Sequence, residues 1–566
     1  MLPPHRRPLL GRPSLQEIDC HGATAPSPHW PPGVPRDVTP PATHLFCNAE
    51  AAARRHPHKP FMVCGQQSLT FLQFCEQAQA IAAWLQHAAG VKCGDRVLLA
   101  LHSGPHWALA CYAILRADAV MVPLHPRASE QELHDRCVDS GAMVAFVSPG
   151  CRAWSPALAH VIVAPPGDDS PGSAAEPAQR GAVHGVTWDI PVAAGLAPLP
   201  MRCGPDDPAV MPYTSGSTGQ AKGCVHTHRS VMSALVAGAA WFSCGSDAVF
   251  LATLPFFHVT GFTGSLNIPL FVGATVVVLT RWSRAAAAEL MQRHRVTHWH
   301  CITSMVVDLL AYPRLSQFDL RSLRSIRGGG AAMPQAVAQR LKARTGLDYI
   351  EGYGLSETMA ATHLNPPHRP KPQCLGLPLF GVDARIIDPH TLRELPRGAS
   401  GEIVIHAPQL LRGYWRQPQA DAAALLHIEG KRFLRTGDLG RVDEEGYFFM
   451  TDRLKRMINH GGLKVWPAEV EALLYRHPAV QETCVVATPH ARRGETVKAL
   501  VVRRADFADV DGRALMHWTR QHLAAYKCPR VVEFVASLPR SDSGKLLWRA
   551  LQEREFLRAG PDRGSA

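Results

Sequence analysis

The chain has 566 residues, of which 46% are apolar and 19% charged, with a formal net charge of +12; at about 150 residues per domain this is too long for one core, and the composition excludes a disordered chain. Its 15 cysteines form no C-x-x-C pair and no dense cluster, which excludes a disulfide framework and a zinc site and makes the reducing cytoplasm the expected compartment. No apolar stretch reaches the length of a membrane span, since Leu266 to Leu279 is broken by Pro269 and Gly273, and the opening MLPPHRRPLLGRPSL lacks the continuous apolar run of a secretion signal.

Residues 1–43 are rich in proline and have no periodicity, so they read as a disordered or loosely attached tail. From His44 to Ser148 helix and strand patterns alternate: SLTFLQFCEQAQAIAAWLQHA predicts a strand leading into an amphipathic helix, and DRVLLAL, HWALACYAILRADAVMVPL and MVAFVS continue toward a parallel sheet covered by helices. His134 and Asp139 form an H-x-x-x-x-D pair on a predicted helix that separates them by more than one turn, so a solvated face is the expected role. Gly150 to Asp207, rich in Pro, Gly, Ala and Ser, reads as a crossing to a second α/β lobe, whose strands are AVFLATLPFFHV, ATVVVLT and THWHCIT with RAAAAELMQRHRV as a helix between them. From Val382 to Met450 short segments (ARIID, GEIVIHA, GYFFM) predict a small β unit, and beyond Asp452 a compact basic α+β unit is expected. The expected division is a tail at 1–43, a large N-terminal domain at 44–451 and a small mobile α+β C-terminal domain at 452–566.

The chemistry concentrates in Tyr213 to Gly223, YTSGSTGQAKG. Gly216, Gly219 and Gly223 let successive N–H groups turn inward round an anion. Thr214, Ser215, Ser217 and Thr218 add hydroxyls and Lys222 a movable charge; the flanking AVMPY and VHTHRSVMSALVAGAAW predict strand, loop, helix. It is not the common nucleotide loop, which needs glycine at Ala221 and a hydroxyl at Gly223, nor a G-x-S-x-G nucleophile elbow, which fails at Ser215 and, around Ser356, at Thr358. Thr451 to Ala566 carries 20 Lys/Arg against 13 Asp/Glu. No aromatic-plus-basic signature accompanies this excess, so a phosphate-rich small molecule is expected there and nucleic acid is not.

Taken with GGGAAMP from Gly328, YGLSE from Tyr353, GE at Gly401, TGD from Thr436, DRLKRMINHGGLKVWPAEVE from Asp452 and SGK ending at Lys545, the loop resembles the adenylate-forming (AMP-binding) superfamily, in its acyl-CoA synthetase or fatty-acid–CoA ligase branch. The resemblance implies an α/β fold in which a large N-terminal domain of two α/β lobes plus a small β unit holds ATP and a carboxylic acid, followed by a small mobile α+β C-terminal domain. It implies two half-reactions: the carboxylate attacks the α-phosphate and releases pyrophosphate, then a thiol, usually that of coenzyme A, displaces AMP. By that resemblance Thr214, Ser215, Gly216, Ser217, Thr218, Gly219 and Lys222 hold the β- and γ-phosphates, Glu357 binds Mg²⁺ and Ser356 stands near the α-phosphate. Tyr353 lies against adenine with the chain at Gly330 and Ala331, Asp438 accepts from the ribose hydroxyls, and Arg453 approaches them from the far side of the cleft. Lys545 bridges the carboxylate and the α-phosphate. Lys455 is the hinge about which the C-terminal domain swings, exchanging Lys545 for the Gly461, Gly462 loop. Asp452 stands where the family commonly has glycine, which bears on local turn geometry, and Trp548 where smaller or basic residues are usual.

His258, in LPFFHVTG, stands at the entrance to the acyl pocket in the resembling enzymes, and Phe257, His258 and Val259 offer no anion for a substrate ammonium. Gly354, with Gly328, Gly329 and Gly330, leaves space for a longer or aryl acid. A medium- or long-chain fatty acid is the leading expectation, with peripheral membrane contact, and an aryl-acid CoA ligase is the alternative. A second alternative is an adenylating enzyme that loads a separate acyl carrier protein. An inactive homologue acting as a binding protein is disfavoured because Lys222, Glu357, Asp438, Arg453 and Lys545 are all present.

Overall fold

The computed structural model describes residues 28–149, 155–165, 184–189, 195–215, 221–330, 332–453, 456–460, 463–465, 467–490, 494–507, 509–540 and 546–559. Two nine-stranded sheets dominate it. In the first, a parallel core runs Tyr349–Leu355, Ser325–Gly329, His298–Cys301, Val249–Ala252, Thr275–Val278, Pro60–Cys64, with antiparallel edges formed by Ala360–Leu364 and by Gln67–Thr70. The second centres on the parallel strands Val120–Pro123, Arg96–Ala100, Val144–Val147 and His160–Val163, and continues antiparallel through Ala221–Thr227 to Gly413–Tyr414.

The two lobes expected in succession are therefore interleaved. The hairpin at 60–70 joins the sheet made otherwise of residues 249–378, and Gly413–Tyr414 closes the sheet made of residues 96–227. The expected crossing at 150–207 is also corrected: the apolar run HVIVA within it forms strand His160–Val163, and His184–Thr187 extends the same sheet in parallel. Short apolar runs are ambiguous by periodicity alone, and pairing partners decide.

The helices begin where local chemistry allows. Thr70, Ser129 and Thr227 cap Phe71–His87, Glu130–Ser140 and His228–Trp241, each with a reciprocal side chain three residues on, Gln73, Glu132 and Ser230, which satisfies donors that a helix start leaves open. Helices Phe71–His87, Pro105–Arg116 and His228–Trp241 share one apolar cluster with Val97, Leu99 and Phe146 of the second sheet and Phe250, Val276 and Val278 of the first. The opposite face of the first sheet, with Trp299 and Ile326, packs in a separate cluster with Ala288, Met291 and Leu341.

Residues 28–43 correct part of the tail expectation. Trp30 sits edge-on to Trp241 and Phe380 at 4.9 and 5.1 Å between ring centroids, and its Nε1 donates to the Val34 carbonyl. One aromatic ring in an apolar notch is enough to hold a proline-rich segment. Residues 1–27 lie outside the described residues.

Behind the lobes, Asp383–Ile387, Gly401–His406, Lys431–Val442, Leu425–Ile428 and Phe448–Arg453 form the small five-stranded unit expected from the sequence. The C-terminal unit has its own five-stranded sheet, built on the long pair Val480–His490 and Gly494–Arg503, with a separate core that includes Ile458, Val470, Val485 and Val501. The molecule is thus an α/β protein with a large N-terminal domain and a small C-terminal one. Among the described residues no helix is long and apolar enough to cross a membrane.

Candidate active site

The phosphate-loop sequence folds as a hairpin before its helix. Strands Tyr213–Ser215 and Ala221–Thr227 pair in register Thr214 to Lys222 and Tyr213 to Gly223, so strand, loop, strand, helix replaces the expected strand, loop, helix. The tip, Gly216, Ser217, Thr218 and Gly219, lies outside the described residues. Its base is anchored in a way the sequence left unread. The Tyr213 hydroxyl donates to the Asp139 carboxylate, the Arg136 guanidinium lies 4.4 Å from the Tyr213 ring centroid, and Trp415 Nε1 donates to the Asp139 carbonyl. Burial, and then the Asp139 carboxylate, push the Tyr213 phenol up, which keeps it a donor at neutral pH. Asp139 therefore does not lie on a solvated face, and His134 turns elsewhere, to the Ser155 hydroxyl at 3.0 Å.

Lys222, 135 residues before Glu357 in the chain, is joined to it through Tyr414. Its Nζ lies 5.1 Å from the Tyr414 ring centroid, and the Tyr414 hydroxyl donates to Glu357 Oε1 at 3.0 Å. Strand Gly413–Tyr414 makes this possible by pairing Tyr414 with Cys224. Burial and the neighbouring Glu357 carboxylate push the Tyr414 phenol up. Tyr414 lies in none of the blocks quoted above, and its place opposite Cys224 reveals it. Ser356 begins a single 3₁₀ turn, Ser356–Thr358, and its carbonyl lies 2.8 Å from His226 Nε2. Met359 and Ala360 follow with φ of 49° and 97°, in a region that L side chains rarely adopt. Such strain persists where surrounding contacts fix it, here including the Thr263 hydroxyl on the Met359 carbonyl.

Tyr353 is buried in the cluster with Ala384, Ile386 and Ile403, and its hydroxyl donates to Asp438 Oδ2 at 2.7 Å. Asp438 follows Gly437, whose φ is 69°, and its N–H is held by the Thr436 hydroxyl at 3.0 Å. The Gly437 N–H donates to Glu402, which Arg435 pairs at 2.6 Å. The GE and TGD blocks are thus one hydrogen-bonded unit. Arg453 stands directly opposite Asp438 in the strand register, an adjacency that the 14 residues between them conceal. Asp452 is in a strand, not a turn, and its carboxylate accepts the Ala468 N–H at 2.8 Å in the first turn of helix Pro467–Leu474. The residue that departs from the family pattern thereby ties the last strand of the large domain to the first C-terminal helix.

His258 caps the short helical turn Val259–Gly261 by accepting the Thr260 N–H. A π-helical turn, Phe262–Asn267, follows, pinned by Asn267, which donates to the Phe262 carbonyl and accepts from the Tyr112 hydroxyl at 2.6 Å. Such turns concentrate at functional sites. The glycines expected to open the acyl pocket have a packing reason as well. A Cβ on Gly354 would overlap the Ala360 carbonyl, one on Gly328 the Cys301 carbonyl and one on Gly329 the Gly352 carbonyl, so close strand approach explains them. Gly330 has φ +83° at the end of its strand.

Ala331, Lys455, Gly461, Gly462 and Lys545 lie outside the described residues, as does the side chain of Arg453. The flanks of two of these segments are described: His460 pairs with Leu463 around the Gly461, Gly462 tip, and Arg540 bridges Leu546 around the segment that contains Lys545. Trp548 packs with Val535 and Leu546, 5.5 Å from the Arg456 guanidinium. Among the described residues no group of three or more His, Cys, Asp or Glu could hold a metal ion.

Residues 49–415 match the AMP-binding enzyme family and residues 469–545 its C-terminal domain. A long-chain-fatty-acid–CoA ligase of Bacillus subtilis (strain 168) is 32% identical over 550 residues, covering 93% of this chain and 97% of its own. A feruloyl-CoA synthase of Amycolatopsis sp is 34% identical over 507 residues, covering 89% and 97%. The crystal structure of ATP-bound MatB from Rhodopseudomonas palustris superposes with a TM-score of 0.80 at 27% identity, covering 91% of this chain and 99% of that one. With Lys222, Glu357, Tyr353, Asp438 and Arg453 drawn together in the geometry above, these matches show that the chain belongs to the AMP-binding, adenylate-forming enzyme family, in its AMP-forming acid–CoA ligase branch.

Proposed function

We propose that this enzyme activates a medium- or long-chain fatty acid with ATP to an acyl-adenylate and then forms the coenzyme A thioester, releasing AMP and pyrophosphate. The observation that carries the reading is the Lys222–Tyr414–Glu357 contact chain beside the Tyr353–Asp438 bond. Phosphoryl chemistry needs positioning and charge neutralisation more than acid–base groups, and the first contact chain supplies a cation and a carboxylate from separate elements. Thr214, Ser215 and the loop tip would hold the β- and γ-phosphates with Lys222. Asp438 would take the ribose, opposite Arg453, and Tyr353 would face adenine. Mg²⁺ suits one carboxylate supplemented by substrate phosphates and water, so Glu357, already oriented by the Tyr414 hydroxyl, fits it. When bound, the ion would neutralise charge on the phosphates.

Under this reading the boundary expected at 451/452 falls at the end of strand Phe448–Arg453, where the Asp452 carboxylate meets the Ala468 N–H, and Lys455 is the hinge that withdraws Lys545 and presents Gly461 and Gly462. The enzyme would work in the cytoplasm, with a fatty substrate bringing it to membrane surfaces. An aryl acid is the second reading, favoured by the 34% identity to a feruloyl-CoA synthase. A pyrophosphate-release screen over fatty, aryl and amino acids, with and without coenzyme A, tests the proposal: fatty acids should give the highest rates, and thioester should appear only with coenzyme A. Pyrophosphate release without thioester would favour a carrier-protein acceptor. Lys545→Ala should abolish most adenylation while leaving ATP binding intact; equal rates in variant and parent would remove its assigned role.

A further inference from the structure

One face of the first sheet carries groups that the reading above leaves without employment. Phe250, His298, His300 and Arg327 lie on the side that packs toward the central helices, since the alternating residues Trp299 and Ile326 belong to the cluster on the opposite face. Arg327 is 3% exposed, and neither Nη1 nor Nη2 has a hydrogen-bond partner among the described residues. Its guanidinium lies 4.2 Å from the Phe242 ring centroid and 5.5 Å from that of Phe250. The polar group beside it is the Cys244 thiol, a weak acceptor.

A buried, unpaired guanidinium carries a desolvation penalty that stacking on aromatic rings returns only in part. His298 and His300 add no second positive charge: burial and the Arg327 charge hold both down to about 3, so they are neutral at physiological pH. The balance calls for an anion that the described residues do not provide at Arg327.

The position says where that anion comes from. Arg327 immediately precedes Gly328–Gly330 and pairs in register with His300. His300 feels the charge of His258, and its ring fills the space a Cβ on Gly264 of the π-turn would need. His258, His300 and Arg327 therefore form a line from the acyl entrance into the sheet face. Beside His298 lies a groove of about 190 Å³, lined also by Phe242, Ser325, Asp348 and the Arg324–Asp247 ion pair.

We propose that Arg327 recognises the far end of the acid substrate, and that this acid carries an oxygen-bearing terminal group there, best a second carboxylate, with its hydrocarbon body lying against Phe242 and Phe250. A guanidinium presents a planar fork that matches a carboxylate with two parallel bonds, and a terminal hydroxyl takes one of them. A methyl terminus takes none and leaves the charge unpaired. The inference rests on the adenylation reading above and narrows its fatty acid to one with a polar ω end.

ATP–pyrophosphate exchange tests it with acids matched in length, from six to ten carbons, ending in methyl, hydroxyl or carboxylate, together with a benzoate and terephthalate pair. In the parent enzyme the diacid should exceed the monoacid by at least about tenfold in kcat/KM, with the hydroxy acid between them. Arg327→Leu should reverse that ratio by on the order of 100-fold, chiefly through KM. Arg327→Lys, which keeps the charge and loses the fork, should fall between and carries the comparison if the leucine variant does not fold. The best diacid should raise the melting temperature of the parent and not of Arg327→Leu. Exchange that is as fast with methyl-terminated acids, or a ratio unmoved in both variants, overturns the proposal alone. Absence of exchange with every acid overturns it together with the adenylation reading.

Discussion

In the second sheet the central strands read VLLA, VMV and VAFV, from Val97, Val120 and Val144, and nearly every side chain is buried against helices on both faces. In the first sheet the corresponding strands read HWHC, SIRGG and YIEGYGL, from His298, Ser325 and Tyr349. Parallel strands are covered on both faces, so apolar runs are their ordinary filling. Each polar residue inserted there needs a partner or carries a penalty, and the first sheet holds Arg327, His298, Glu351 and His363 in this way. The second sheet makes its main exception in Ala221–Thr227, the strand that bears Lys222 and sets His226 on the Ser356 carbonyl. The difference teaches that polar residues inside parallel strands mark where the scaffold gives up stability for chemistry, while uninterrupted apolar strands only support.

Asp438→Ala should have the largest effect. It removes a buried acceptor and leaves the Tyr353 hydroxyl without that partner, which together predict a fall in kcat/KM for ATP on the order of 1,000-fold. Exchange kinetics measure it, and a change of less than threefold would detach Asp438 from the nucleotide.

Leu99→Ala, in the second sheet and 0% exposed, should lower stability by about 3 kcal/mol and leave KM for ATP unchanged at a temperature where the variant is folded. Urea unfolding and KM are the paired readouts. A raised KM in a fully folded variant would break the division between the two sheets.

Acid lability should concentrate in the first sheet. Burial holds His298, His300 and His363 down to about 3, against about 4 for His226 in the second. Each is depressed below the unfolded histidine value of about 6.5, so the unfolded chain binds the extra proton. Their contribution is present above pH 6.5 and is lost as pH falls from there toward 3, with a slope of about 1.4 kcal/mol per pH unit for each histidine. His363→Gln should lower that slope by one proton in urea titrations between pH 6 and 4, and an unchanged slope would show that His363 does not titrate on unfolding. Glu351 runs the opposite way. Burial raises it to about 7, so it takes stability away as pH rises from about 4.5 to 7.

Tyr353→Phe should give the smallest change, about 1 kcal/mol or roughly fivefold in KM for ATP, because the ring stays in its apolar cluster while Asp438 loses one donor. An effect as large as that of Asp438→Ala would mean the hydroxyl, not the carboxylate, is the principal contact.

The sequence by itself determined what is local. Capping pairs such as Thr70 with Gln73 start helices within a turn of themselves, the apolar run DRVLLAL reads correctly as a buried strand, and the ordered motif blocks identified the family because each is a short stretch whose chemistry is contained in its own residues. Tertiary structure alone decided which distant segments meet. Tyr414 between Lys222 and Glu357, Asp139 beneath Tyr213 and Asp452 on Ala468 depend on strand pairing and helix packing across 16 to 192 residues of chain. The interleaving of the two sheets has the same origin, as does the close approach of a neighbouring strand's carbonyl at Gly328 and Gly354. Arg327 shows the limit most plainly. In the sequence it is one charge before three glycines, and only the burial of its guanidinium between Phe242 and Phe250 turns it into a question about the substrate: local patterns set which bonds a residue can make, and packing sets which of them it is left to make.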